Sequence, residues 1–141
     1  ANYMQDGRCL RIKAYGKLST TGTPTMTWAL RWGGVGGTIL ATSEAITMGS
    51  GVSNVNWSIE AIIQTRSNGS SGSLLVMGEV KVHTSSTAVA QNVLGVSGYD
   101  APAAVTVDLT ADTALSLTGD WSASSSSNTI TGLIYNVESL N

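Results

Sequence analysis

The fold class is decided by one stretch of the chain, Arg8-Cys9-Leu10-Arg11-Ile12-Lys13-Ala14-Tyr15-Gly16-Lys17-Leu18. From Leu10 onward the even positions are apolar or small, and the odd positions are mostly charged. Successive side chains of a β-strand point to opposite faces, so this alternation predicts a strand with one face on a core. The other face is expected to meet solvent or a partner.

The same alternation continues through the middle of the chain. Residues 25–32 place their even-numbered apolar side chains, including two of the four tryptophans, on one face. Residues 56–66 and 73–83 repeat the pattern and are separated by a turn that contains Asn68-Gly69. Because Asn-Gly is typical of hairpin connections, we expect these two strands to form an antiparallel pair.

The whole chain reads as one all-β domain over residues 1–141. Turn residues recur between the strand patterns, and no helical stripe competes with them. Such a series predicts an antiparallel two-sheet β-sandwich of about eight strands, with a jelly-roll-like topology. The strand pattern fades over residues 84–103, which predicts a long loop or arm of the kind that often carries function.

Composition excludes several classes of protein. Charged residues make up 11% of the chain, against about a quarter in ordinary soluble domains. No run approaches the ~18 apolar residues of a membrane-spanning helix. The net charge of −2 gives no cluster of basic residues for nucleic acid, so neither nucleic acid nor a membrane is expected as a partner. Low charge suits a surface that packs against other proteins.

The charges that remain are unevenly placed. Five of the seven basic residues lie in the first 31 positions, whereas residues 100–141 carry five acidic residues and no Lys or Arg. Early and late strands could be neighbours in one sheet, where opposite charges across strands are mildly stabilising. The charges could instead be complementary between subunits.

Catalytic constellations are absent from the sequence. A Ser-His-Asp arrangement would need His83, the single histidine, which falls on the polar phase of a strand, and no Gly-x-Ser-x-Gly motif occurs. Glu60 and Glu79 lie on the outer face of the predicted hairpin, where Arg66 and Lys81 are their expected cross-strand partners. The carboxylate pair of a glycosidase is therefore not expected, and the chain is interpreted as a non-enzyme.

No cofactor or metal is expected either. Cys9 is the single cysteine, too few for a zinc site built on thiolates. The oxygen-bearing residues Asp108, Asp112 and Asp120 do not have the spacing of a calcium-binding loop. The glycine run at 33–37 lacks the Lys and Ser/Thr of a phosphate-binding loop and is interpreted as a turn.

Four tryptophans and no phenylalanine raise a glycan-binding alternative, because sugar rings stack on exposed indoles. Trp28, Trp32 and Trp57 are in phase with aliphatic neighbours, which predicts that they lie in the core. Trp121 ends a strand before a serine run and is expected to be the most exposed of the four.

Two stretches carry a family resemblance. Residues 11–27 read Arg-Ile-Lys-Ala-Tyr-Gly-Lys-Leu-Ser-Thr-Thr-Gly-Thr-Pro-Thr-Met-Thr, and residues 121–131 read Trp-Ser-Ala-Ser-Ser-Ser-Ser-Asn-Thr-Ile-Thr. Together they resemble accessory virion proteins of tailed bacteriophages, a head decoration or cement-like β-sandwich family. The resemblance implies a domain that decorates the head shell or builds part of the tail, often as a trimer, with no catalytic residues.

These observations combine into one expected function. We expect a bacteriophage capsid decoration protein that binds the outer surface of the virion head and stabilises it, with the major capsid protein or other virion subunits as partners. A homo-oligomer, with a trimer favoured, is expected. The alternatives are a tail or fibre component and a glycan-binding module or adhesin. The expected contact residues are Arg8, Arg11, Lys13, Lys17, Tyr99 and Trp121, together with the segment 84–103.

Overall fold

The computed structural model describes residues 3–141, which form ten β-strands and no helix. The strands are β1 (Cys9–Ser19), β2 (Thr25–Trp32), β3 (Thr38–Thr42), β4 (Ile46–Thr47), β5 (Val55–Ser67), β6 (Gly72–His83), β7 (Val89–Leu94), β8 (Val105–Val107), β9 (Leu115–Trp121) and β10 (Thr129–Ser139).

The strands form two antiparallel sheets. The six-stranded sheet has the order β10-β1-β5-β6-β7, and β8 pairs with the same edge of β6 as β7 does. The four-stranded sheet is built on β2, which pairs with β9 along one edge and with β3 and β4 along the other. The predicted two-sheet sandwich is confirmed, with ten strands rather than about eight. Its β5-β6-β7 meander departs from the two Greek keys of a regular jelly roll.

The core lies between the inner faces of these sheets, as the alternation predicts. The inward side chains of β1, β2, β5 and β6 are buried, among them Trp28 and Trp57, whose ring centroids lie 6.4 Å apart. The predicted hairpin of β5 and β6 is confirmed, with Ile59 opposite Val80 in its register. Burial of these apolar side chains supplies the main favourable term in folding.

Glycine at position 16 lets Trp57 pack against β1. A Cβ at Gly16 would overlap the carbonyl oxygen of Thr131 and would lie 2.5 Å from the Trp57 ring. The indole Nε1 of Trp57 donates a hydrogen bond to the Lys17 carbonyl oxygen at 3.2 Å. The small residue in the apolar phase of β1 is therefore a packing requirement.

The predicted loop over residues 84–103 is wrong in its centre, because Val89–Leu94 form β7. This strand pairs with Gly78–His83 of β6, and it reads as a loop because polar residues such as Asn92 interrupt its apolar pattern. Directly after β7, Gly95 forms an isolated bridge with Thr42 at the end of β3. Backbone bonding across this bridge closes one side of the sandwich.

Candidate functional site

The opposite side of the sandwich ends in β10, which is an uncovered edge strand. Of its eleven residues ten are exposed, and Ile130 is half-buried. The exposed residues include large apolar side chains on both faces, with Leu133 65% exposed and Ile134 57% exposed. A strand with one face on a core would bury every second residue, so β10 extends beyond the cover of the second sheet.

The second sheet does not cover β10 because it has fewer strands than the first sheet. β2 has β9 as its last neighbour on this side, whereas the first sheet continues from β1 to β10. Between β9 and β10 lies a cleft of about 350 Å³ that reaches Trp28 and Trp57. It is lined by residues 115–119 of β9 and by Ile130, Gly132, Ile134 and Tyr135 of β10. A second cleft of about 230 Å³ borders Leu115 and Val137. The open side of the sandwich is thus an apolar groove.

One hydrogen bond crosses this groove. The Tyr135 hydroxyl of β10 donates to the carbonyl oxygen of Leu115 on β9 at 3.3 Å. Although the Tyr135 side chain is 47% exposed, desolvation in the groove raises its pKa above the ordinary value, since the phenolate would be poorly solvated there. Tyr135 therefore ties β10 to the second sheet as a neutral donor.

A bulge divides β10 into two halves. Tyr15 of β1 is opposite Ile134, whereas the next residue, Gly16, is opposite Gly132, so Leu133 is the extra residue. An extra residue reverses the faces to which the following side chains point. Thr131 therefore lies on the outer face before the bulge, and Ile134 lies on it after the bulge.

Three of the four predicted basic contact residues are engaged within the chain. Arg8 precedes β1, and its guanidinium donates to the Asn141 carbonyl oxygen at 2.6 Å and to Ser139 Oγ at 3.2 Å. Arg11 lies 3.6 Å from Glu138 and 3.9 Å from Glu60, and the ammonium of Lys13 lies 3.7 Å from Glu60.

The Arg11–Glu138 pair matches one interpretation of the uneven charge, that early and late strands are neighbours and neutralise each other. The other late acids lie outside the first sheet: Asp120 is on β9, and Asp100, Asp108 and Asp112 are in loops. Cross-strand neutralisation therefore explains one late acid and not the whole asymmetry.

Lys17 differs from the other three basic residues. It is exposed on the outer face of β1, opposite Asn56 on one side and Thr131 on the other, and no ion pair is formed with it in residues 3–141. A shallow depression of about 570 Å³ lies on this outer face, bordered by Tyr15, His83 and Ile134 among others. Lys17 is thus the predicted contact residue best placed to meet a partner's charge.

The two predicted aromatic contacts lie elsewhere. Tyr99 is 84% exposed in the connection between β7 and β8. Trp121 ends β9 in the second sheet and is half-buried against the core, as Trp32 is, so it is not singled out by exposure. Tyr99, Trp121 and the β1 cations are therefore separate features rather than one site.

The acidic residues of the β5–β6 hairpin are held by neighbouring cations. Glu60 lies opposite Glu79 in the register, and Lys81 lies 2.6 Å from Glu79. The expected cross-strand pairing with Arg66 and Lys81 is wrong. Lys81 is paired with Glu79 along its own strand, and Arg66 donates to Gln64. Glu60 is instead paired by Arg11 and Lys13 of β1. In the described part of the chain no group of three His, Cys, Asp or Glu side chains is arranged to hold a metal ion.

The free strand β10 is the feature that sequence reasoning missed. The signal was present: the stretch from Thr129 to Ser139 carries a single charge, at Glu138, and has no proline or lysine. Natural edge strands are usually shielded by such residues, so apart from its bulge β10 has few of the features that prevent pairing with another chain.

Among residues 3–141 no helix is long and apolar enough to cross a membrane. No protein-family model, no curated protein and no solved structure matches this chain.

Proposed function

We propose that this chain is a non-enzymatic structural protein that assembles through β10, and that its place is the outer surface of a tailed-bacteriophage head as a decoration or cement protein. The observation that carries the assembly role is the uncovered apolar strand at the edge of an otherwise well-packed sandwich. The phage assignment rests on the resemblance of residues 11–27 and 121–131.

The exposed edge supports assembly on energetic grounds. A long apolar edge strand offers unpaired backbone groups and apolar side chains together, which makes it a template for pairing with another chain. The open groove beside it adds the apolar side chains of β9. A partner that covers both surfaces removes apolar area from water, and the burial of this area contributes a favourable free energy of about 25 cal/mol per Å².

The mechanism we propose is mechanical. A specific interface buries about 800 Å² per partner, and symmetry repeats each contact many times over a particle. Contacts between neighbouring shell subunits would then oppose internal pressure without any cofactor. The major capsid protein or another virion subunit is the proposed partner.

The basic face of β1 contributes less to this binding than its sequence suggests. Arg11 and Lys13 are neutralised by Glu60 and Glu138 within the sheet, which leaves Lys17 as the cation available to a partner. Lys17→Glu should therefore weaken shell occupancy with little effect on folding. Lys13→Glu should also destabilise the chain, because it sets a third carboxylate beside Glu60 and Glu79.

Antibody labelling of particles from the native source tests the location. Regular gold label over the head, seen by electron microscopy, is the expected result. Label confined to the tail would replace the head assignment by the tail or fibre alternative, and particles without label would overturn a virion role.

A glycan-binding role draws less support from the residues. Trp28 and Trp57 are buried and Trp32 and Trp121 are half-buried, so none of the four tryptophans is an exposed stacking platform.

A further inference from the structure

We propose that β10 pairs antiparallel with β10 of a second copy of this chain, joining two six-stranded sheets into one twelve-stranded sheet across a two-fold axis. The inference names the partner of the strand discussed above, so it rests on the proposed assembly role of β10 and not on the phage assignment. It replaces the expected trimer by a two-fold pair at this edge.

The free edge of β10 has the backbone groups for such a pair. One edge is bonded to β1 from Ser19–Thr129 to Leu10–Ser139, and within residues 3–141 no strand pairs with the other edge. Antiparallel pairing over ten residues forms about ten backbone hydrogen bonds. A typical protein–protein interface has about ten in all, so the strand alone supplies that number.

The bulge restricts the registers in which two copies of β10 can pair. Because Leu133 reverses the faces, odd residues point outward before it and even residues point outward after it. Two such strands keep outer residues opposite outer residues only when the two bulges lie close together across the axis, and the longest register of this kind pairs the ten residues 129–138. The pairs are then Thr129 with Glu138, Ile130 with Val137, Thr131 with Asn136, Gly132 with Tyr135 and Leu133 with Ile134, each formed twice.

The chemistry of these pairs is compatible throughout. The inward pair of Ile130 and Val137 adds apolar contact beside the core, and Leu133 and Ile134 at the centre gain apolar neighbours across the strands. The single charge, Glu138, lies opposite Thr129 of the second copy, so no like charges meet across the strands. Two copies of β10 are thus complementary in pattern and in charge.

Gly132 is an independent argument for a second copy of β10 beside the first. Glycine weakens a strand interior, and here its φ is not in the left-handed region and no described atom lies within 4 Å of a Cβ built on it. The chain itself therefore does not require glycine at this position. In the proposed register Tyr135 of the second copy lies opposite Gly132, and an aromatic ring over a strand glycine is a recurrent stabilising pair.

The mass of the purified full chain tests the pair directly. We expect sedimentation equilibrium to give twice the chain mass, and Ile134→Lys to raise the dissociation constant at least tenfold by placing two ammonium groups at the axis. Met77→Lys is the matched control, since Met77 is 58% exposed on the outer face of the same sheet but lies on β6. A monomer at about 100 μM, a three-chain mass, or a dimer unaffected by Ile134→Lys would each overturn the proposal.

Cysteine cross-linking tests the register without relying on a disruptive variant. In a Cys9→Ser background, an oxidised mixture of Thr131→Cys and Asn136→Cys chains should give a covalent dimer, and each variant alone should not. Thr131→Cys mixed with Glu138→Cys is the control for a shifted register. Equal or higher yield from the control mixture would contradict the pairing. Both measurements use purified protein, so their failure is distinct from a failure to label particles.

Discussion

At the residue scale, two glycines of paired strands differ in the space around them. Gly16 of β1 and Gly132 of β10 lie opposite each other, but a Cβ at Gly16 would overlap Thr131 and Trp57 whereas a Cβ at Gly132 meets open space. The sequence alone does not separate these roles, since both are small residues in the apolar phase of a strand. The first serves the core of the chain, and the second would be explained by the proposed pairing with a second copy.

Substitution of these glycines should reproduce the difference. We expect Gly16→Ala to lower the free energy of unfolding by about 1–3 kcal/mol, because the added methyl forces Trp57 or β10 to move. In the monomer, below the dissociation constant of the proposed pair, Gly132→Ala should leave the free energy of unfolding unchanged or raise it, since alanine restricts the unfolded chain. Above that constant it should weaken the pair, because the added methyl lies opposite Tyr135 of the second copy. Urea unfolding followed by tryptophan fluorescence measures both, and equal losses in the two variants would contradict the packing role of Gly16.

Tyr135 gives a pH-dependent prediction at the same scale. Its raised pKa means that the folded chain holds the phenol proton more tightly than the unfolded chain. The stabilisation is complete below the ordinary tyrosine pKa of about 10 and is lost as the pH rises through the higher folded-state pKa.

Absorbance of phenolate tests this prediction. The difference between the wild-type and Tyr135→Phe titrations should show one tyrosine that ionises above its ordinary range. A difference curve centred at or below the ordinary pKa would show that the hydroxyl is not held in the groove between β9 and β10.

At the element scale, alternation of apolar and polar residues predicts the strands that have one face in the core and the other in solvent. β1, β2, β5 and β6 each bury one face, so their apolar phase is visible in the sequence and their inward residues are those expected. β7 lacks this contrast because it is an edge strand paired with β6, and most of its residues are exposed or half-buried, so its sequence reads as a loop. Strand order arises from contacts distant in sequence, such as β1 with β10, and local pattern does not encode it.

The candidate site illustrates the same limit of local pattern. The basic odd positions of β1 were expected to bind a partner, but Arg11 and Lys13 meet acids brought from β5 and β10. The strand that is free, β10, has ordinary alternation with one extra residue. Its exposure follows from the width of the opposite sheet, which no single stretch of sequence reports.

At the scale of the whole molecule, the two interpretations of the charge asymmetry predict different responses to salt. A dimer held by backbone bonds and apolar side chains of β10 should keep its mass when ionic strength rises from 0.1 to 1 M, over which the Debye length falls from about 10 to about 3 Å. Sedimentation at the two ionic strengths measures this. Dissociation at high salt would favour charge complementarity between subunits.

The measurement that tests the central claim most directly is hydrogen exchange along β10, read residue by residue in the wild-type chain and in Ile134→Lys. In an unpaired edge strand every second amide points away from β1 and exchanges quickly. In the wild type we predict that the amides pointing toward β1 and those pointing away from it are both protected from exchange. In Ile134→Lys we predict that only the amides pointing away from β1 lose their protection. Fast exchange in the wild type of the amides that point away from β1, at concentrations up to about 100 μM, would contradict the claim that β10 pairs with a second copy of itself.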